Sequence, residues 1–133
     1  MAIRPTRFWR EGIEEEARQV ASGELREEWA SMVQLFPGLL LSRTDGVLQA
    51  FEEEVSALVN PADADVLEVV KRAVIALNSI HADFDHDAYA TGERDQLCSY
   101  IDDVISESGV DVDDLARRSG ISRNEIIDKW REW

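Results

Sequence analysis

Apolar residues recur along this chain every three or four positions, the spacing that lines one face of an α-helix. No segment shows the two-residue alternation of a half-buried strand. The first stripe follows an opening at Pro5 or Thr6, runs through Phe8, Trp9, Ile13, Ala17, Val20 and Ala21, and meets Gly23. A second stripe, Leu25, Trp29, Met32, Val33 and Phe36, closes at Pro37-Gly38, since proline lacks an N–H and its ring clashes with the preceding turn. Leu39-Leu40-Leu41 fits a buried connector, a short extended piece or a helix equally well. After Thr44-Asp45-Gly46 comes a third stripe, Val47, Leu48, Phe51, Val55, Leu58 and Val59, with Glu52, Glu53 and Glu54 mainly toward solvent.

Asn60-Pro61-Ala62-Asp63 is a start signal, with Asn as N-cap, Pro at the first helical position and Asp at the positive dipole end. The helix predicted from Pro61 to about His81 or Phe84 carries Val66, Leu67, Val69, Val70, Ala73, Val74, Ile75, Leu77 and Ile80. Apolar over more than half its circumference, it belongs at the centre. Asp83 to Gly92 is a polar connection. Thr91 caps a helix with Leu97, Tyr100, Ile101, Val104 and Ile105 inward, stopped at Ser108-Gly109. Two short helices follow, one from Asp111 with Asp114 three residues on, and one from Ser122 with Glu125 completing a Ser-x-x-Glu capping box. The pattern predicts an all-α fold, a single domain over residues 1–133, built as a bundle of six or seven helices.

Length and composition support a packed core. The chain has 133 residues, 44% hydrophobic, with four Trp and four Phe, enough to bury a core without disulfides. Cys98 is the only cysteine and fits a small core position in a reducing compartment. No signal peptide or membrane span is read, which places the protein in the cytoplasm.

Charge changes the picture more. The net charge is −14, unevenly spread. Pro61 to Asp114 holds 14 acidic and 3 basic side chains, whereas Leu115 to Trp133 holds 5 basic and 3 acidic. Between Asp83 and Asp114 only Arg94 opposes 11 acidic residues. One sign this dominant raises self-repulsion, and a habitat bias would have acidified the tail as well. Two explanations stand, solubility or a high-salt habitat on one side and a basic protein partner on the other. The clustering favours the partner, for which a negative face speeds encounter and excludes wrong partners. The candidate protein-binding residues are Asp83, Asp85, Asp87, Glu93, Asp95, Asp102, Asp103 and Glu107. Neutralising Asp95, Asp102 and Asp103 is expected to leave the fold intact.

The tail carries a second signal. Leu115-Ala116, Gly120-Ile121-Ser122 and Ile126 supply a small residue at a helix crossing, a glycine at the turn and apolar residues on both helices. Over about twenty residues this resembles the helix-turn-helix of bacterial regulators, departing from it at Lys129, where an apolar residue is expected. Trp130 takes the inward role in its place, and Trp133 is expected to be loose. The resemblance implies a recognition helix from Ser122 to Trp133, with Arg123 and Asn124 toward base edges and Arg117 and Arg118 toward phosphate. The anionic body beside it would repel DNA, so a structural corner is the favoured reading and DNA-binding regulation the alternative.

His81-Ala-Asp-Phe-Asp-His-Asp87 holds both histidines and three carboxylates. On a helix, His81 would share a face with Asp85, and Asp83 with Asp87, a spacing that presents two ligands to one ion. The segment lacks the zinc-hydrolase and calcium-loop patterns and falls where a helix should end. A metal-dependent enzyme using His81, Asp85 and His86 is therefore a third alternative, and the reading is of no catalytic residues, no metal and no cofactor. There is no phosphate loop, nucleophile elbow or triad, and Glu14-Glu15-Glu16 and Glu52-Glu53-Glu54 read as solvated helix faces. In size, helix content and acidity the chain resembles immunity proteins, which neutralise basic nuclease toxins by covering their nucleic-acid groove. It lacks the Tyr-Tyr-Pro element of the colicin nuclease immunity group. The resemblance implies a non-enzymatic inhibitor with a basic protein partner.

Overall fold

Helix breaks fall where the chain turns left-handed or lacks an N–H. In the computed structural model, which describes residues 2–30 and 36–133, helix α1 (Pro5–Ser22) ends at Gly23 with φ of 82°. There the Glu24 N–H reaches back to the Gln19 carbonyl at 2.9 Å, a left-handed stop that glycine enters without a Cβ clash. A single 3-10 turn, Glu27–Trp29, follows. Of the second apolar stripe, Met32 and Val33 lie outside the described residues. Then come α2 (Gly38–Ser56), α3 (Asp63–Asp83), α4 (Thr91–Glu107), α5 (Val112–Ser119) and α6 (Glu125–Asp128). The fold is an all-α bundle, with no strand among the described residues.

Three boundaries differ from expectation. Helix α2 begins at Gly38, absorbing Leu39–Leu41 and running straight through Thr44-Asp45-Gly46. Thr44 and Asp45 do not cap a helix because their side chains serve other elements. The buried Thr44 hydroxyl lies 2.7 Å from that of Tyr89, and Asp45 accepts from Thr6 and Arg10 of α1. Helix α3 starts two residues later than Pro61. Asn60 sits in a turn with φ of 46°, and the Ala62 N–H is taken by the Asp65 carboxylate at 3.1 Å. Thr91 is the first residue of α4 rather than its cap, a place held by Ala90.

Helix α3 is the central element. Val66, Val70, Ala73, Val74 and Leu77 are each 5% exposed or less, packed in one core mainly with α2, which contributes Leu40, Leu48 and Phe51, and next with α6. The first stripe is used only at its start. Pro5, Thr6 and Trp9 are buried, Phe8, Ala17 and Ala21 are exposed, and Ile13 and Val20 are half-buried. Trp9 stacks on Phe36 at 5.1 Å between ring centres and donates its indole N–H to Gln96 of α4 at 2.7 Å.

The α3–α4 connection is less polar than its sequence. Ala88 and Tyr89 are buried within it. The Tyr89 ring lies 5.9 Å from His81, 6.2 Å from Trp9 and 5.8 Å from Trp133. The end of the chain is therefore not loose. Trp133 is 5% exposed, its indole N–H reaches the Val74 carbonyl at 3.4 Å, and the Arg131 guanidinium covers its ring at 5.2 Å. Trp130 turns inward as expected but stays half-buried. The backbone between them is held by Asn78 of α3, which donates to the Trp130 carbonyl and accepts from the Glu132 N–H, both at 2.8 Å.

Two stability outcomes follow from this packing. Val70→Ala should cost on the order of 1–3 kcal/mol by leaving a cavity in the centre. Trp133→Ala should cost about 3 kcal/mol, clearly more than Trp130→Ala. Urea unfolding midpoints check both; equal costs for the two tryptophans would mean that the tail is not anchored at its last residue.

Candidate protein-binding surface

Position on α4 decides what each acidic side chain can do. With 3.6 residues per turn, Leu97, Ile101 and Ile105 turn inward, so Asp95, Ser99, Asp102 and Asp103 come to the outer side. Asp95, Ser99 and Asp103 stand four residues apart and make one ridge. Glu93 lies in the first turn of α4, where its charge faces the positive end of the helix dipole. Asp85 and Asp87 are exposed in the α3–α4 connection.

The eight predicted residues divide into two groups. Asp83, Asp102 and Glu107 are already engaged within the fold. Asp83 pairs with Arg43 at 2.8 Å, and Glu107 accepts the Ala2 N–H at 2.8 Å. Asp102 accepts from Nε of Arg123 at 2.7 Å and from its Nη2. Asp85, Asp87, Glu93, Asp95 and Asp103 have no ion pair or side-chain hydrogen bond among the described residues. Asp102, a candidate binding residue on the outer side of α4, is tied to the tail by its pair with Arg123.

The tail shows why the basic residues do not form a patch. Arg117 pairs with Asp114, and Arg118 grips Asp63 at the start of α3 with two bonds of 2.9 and 3.0 Å. Arg123 bridges Asp102 and Asp113, the latter at 3.2 Å, and Arg131 pairs with Asp128 at 3.0 Å. Arg118 holds the Asp63 carboxyl below its ordinary pKa through these hydrogen bonds. Leu115, Ala116, Ile126 and Ile127 bury the crossing of α5 and α6, and Gly120 turns it with φ of 71°, so the helix-turn-helix-like corner is formed. The expected recognition helix from Ser122 to Trp133 is not, because only Glu125–Asp128 is α-helical. Glu125 does receive the Ser122 N–H at 3.3 Å, but the Ser122 hydroxyl also turns to Glu125 instead of capping the next N–H.

Two hollows flank the α4 ridge. On one side a polar cleft of about 430 Å³ lies between α4 and the tail, bordered by Asp95, Cys98, Asp102, Asp103, Arg123 and Arg131. The Cys98 thiol there is half-buried, and burial pushes its pKa up, which lowers its reactivity. On the other side an open groove of about 300 Å³ runs between the N-terminus of α1 and α4. Ile3 and Phe8 form one wall, and Asp95, Ser99 and Asp103 the other, with buried Tyr100 lining it as well. The sequence reading missed Ile3 and Phe8. The available signal was Phe8 beside Trp9, since adjacent helical residues point about 100° apart and the core takes Trp9.

The histidine–aspartate segment does not bring its predicted ligands together. Helix α3 ends at Asp83, and Asp85 and His86 both adopt positive φ, 59° and 57°, so the helical pairing of His81 with Asp85 is lost. His81 is buried and accepts the Ala88 N–H on Nδ1 at 3.2 Å. Among the described residues no three His, Cys, Asp or Glu side chains are grouped to hold a metal ion. No helix among them is long and apolar enough to cross a membrane. Compared with known protein families, curated proteins and solved structures, the chain has no match.

Burial, followed by the nearby His86, lowers the His81 pKa below its ordinary value, with Arg94 adding to the effect and Asp87 opposing it. The unfolded chain therefore takes up this proton at higher pH than the folded one. The stability from a neutral His81 is complete above about pH 6.5 and is lost as pH falls from there through the lower folded value. His81→Asn keeps an acceptor for Ala88 and should flatten the urea midpoint between about pH 6.5 and 5.5 relative to the parent. A second outcome concerns the tail. Asp102→Asn should cost up to about 1 kcal/mol, in keeping with a partly exposed ion pair. Adding Arg123→Ala should cost less than the sum of the two single changes, measured by the same midpoints.

Proposed function

We propose that this protein is a non-enzymatic interaction protein of inhibitor or immunity type, which binds a basic protein partner through the outer face of α4 and the connection leading to it. The observation that carries this reading is the set of carboxylates with no ion pair among the described residues, Asp85, Asp87, Glu93, Asp95 and Asp103. Leaving them unpaired while neighbouring acids are paired raises repulsion within the fold, and a cationic partner relieves it. The tail gives no comparable support to a DNA-binding role. Arg117, Arg118, Arg123 and Arg131 each already hold a carboxylate of the chain, and phosphate contacts are the main source of non-specific DNA affinity.

Rim charges act chiefly on the encounter rate. With the partner captured from the native host, the double variant Asp95→Asn/Asp103→Asn should associate about tenfold more slowly at low salt, lose most of its salt dependence and dissociate at an unchanged rate. Stopped-flow association at two ionic strengths reads this directly. The opposite result is unchanged partner association together with a DNA mobility shift that Arg123→Ala abolishes. It would move the protein to the helix-turn-helix class.

A further inference from the structure

The groove between α1 and α4 adds apolar surface to the acidic ridge. Ile3 is 48% exposed and Phe8 49%, both facing a hollow whose other wall carries Asp95 and Asp103. Its walls are held in place. Trp9, next to Phe8, donates to Gln96 of α4, and Pro5 and Thr6 are buried beneath it. Asp95 and Asp103 are eight residues apart on α4, a separation of about 12 Å along the axis. Two carboxylates at that spacing, with apolar side chains across from them, match a helix bearing basic residues two turns apart and an apolar residue between them.

We infer that this groove receives a basic amphipathic helix of the partner protein, its apolar stripe against Ile3 and Phe8 and its lysines or arginines on Asp95 and Asp103. The inference rests on the basic-partner reading above and names the form the partner takes. Charge complementarity selects this occupant over a second copy of the chain. Each copy carries −14, its tail arginines are engaged internally, and two acidic ridges brought together repel. The apolar wall supplies affinity by burial from water, and the carboxylates set orientation and encounter rate.

The test uses the full chain and a synthetic peptide of about five helical turns with lysines and leucines arranged as one apolar stripe. A scrambled peptide of identical composition and a glutamate-for-lysine peptide serve as controls. In an NMR titration the stripe peptide should shift amides of Phe8, Gln96, Ser99 and Asp103 saturably, and bind at least tenfold more tightly than the scrambled peptide. Phe8→Ser should weaken it at least tenfold with folding unchanged by circular dichroism, as should Ser99→Arg, which blocks the ridge with a like charge. Asp95→Asn/Asp103→Asn should weaken binding and flatten its salt dependence. Equal binding of the stripe and scrambled peptides would overturn the groove while leaving a charge-only acidic face. Binding of the glutamate peptide as tightly as the lysine one would overturn the basic-partner reading itself. A dimer of the parent chain that Phe8→Ser dissociates would assign the groove to self-association and overturn the inference.

Discussion

Tyr89 is the point at which the helices of this fold are tied together. It sits in the connection between α3 and α4, yet its ring touches Trp9 of α1, His81 of α3 and Trp133 at the end of the tail. Its hydroxyl meets Thr44 of α2 at 2.7 Å. Burial pushes that hydroxyl up to about 12, so it is neutral at any ordinary pH. A neutral hydroxyl can sit in an apolar core without a charge to desolvate, provided it has a partner. Thr44 is that partner. Aromatic rings in tilted and edge-on contact add directional packing to simple burial, which is why one connection residue can set the positions of α1 and the tail relative to α3.

This arrangement also explains what was legible beforehand. The apolar circumference of α3 and the inward positions of α4 are local periodic signals, and periodicity reports the face that needs cover. It does not report what covers it. Trp133 read as a loose terminus because its partners, Val74 and Tyr89, lie 59 and 44 residues away in sequence, and no spacing rule links them. Thr44 and Asp45 mislead for a related reason. They carry the chemistry of a helix start, but short polar side chains serve tertiary hydrogen bonds equally well. At Asn60-Pro61 the start moves on because the Asp65 carboxylate takes the Ala62 N–H. The glycine stops at Gly23, Gly109 and Gly120 were readable because their need is local, a backbone φ of 82°, 100° and 71°.

The acidic surface was visible as a run of charge, but its division was not. Asp102 and Asp103 are neighbours in sequence with different fates. Asp102 faces the tail and is held by Arg123, while Asp103 borders the α1 groove and meets no cation among the described residues. A charge count treats them alike, although only Asp102 is part of an ion pair that ties the tail to α4. Part of the tail's positive charge is complementarity within the chain, since Arg118 pairs with Asp63 and Arg123 with Asp102 and Asp113.

The same separation bears on how an acidic protein keeps a partner once bound. Exposed ion pairs contribute little to affinity in salt, because water and counter-ions screen them. A surface of carboxylates alone would give fast encounter and equally fast release. Lasting complexes need desolvated apolar contact at the centre with charge around it. Among the described residues, unpaired carboxylates and exposed apolar side chains meet in the groove between α1 and α4. The ridge of Asp95, Ser99 and Asp103 borders both the polar cleft and the groove of Ile3 and Phe8. On the proposed reading, encounter with the carboxylates of α4 and retention against Ile3 and Phe8 at the start of α1 are adjacent steps on one surface.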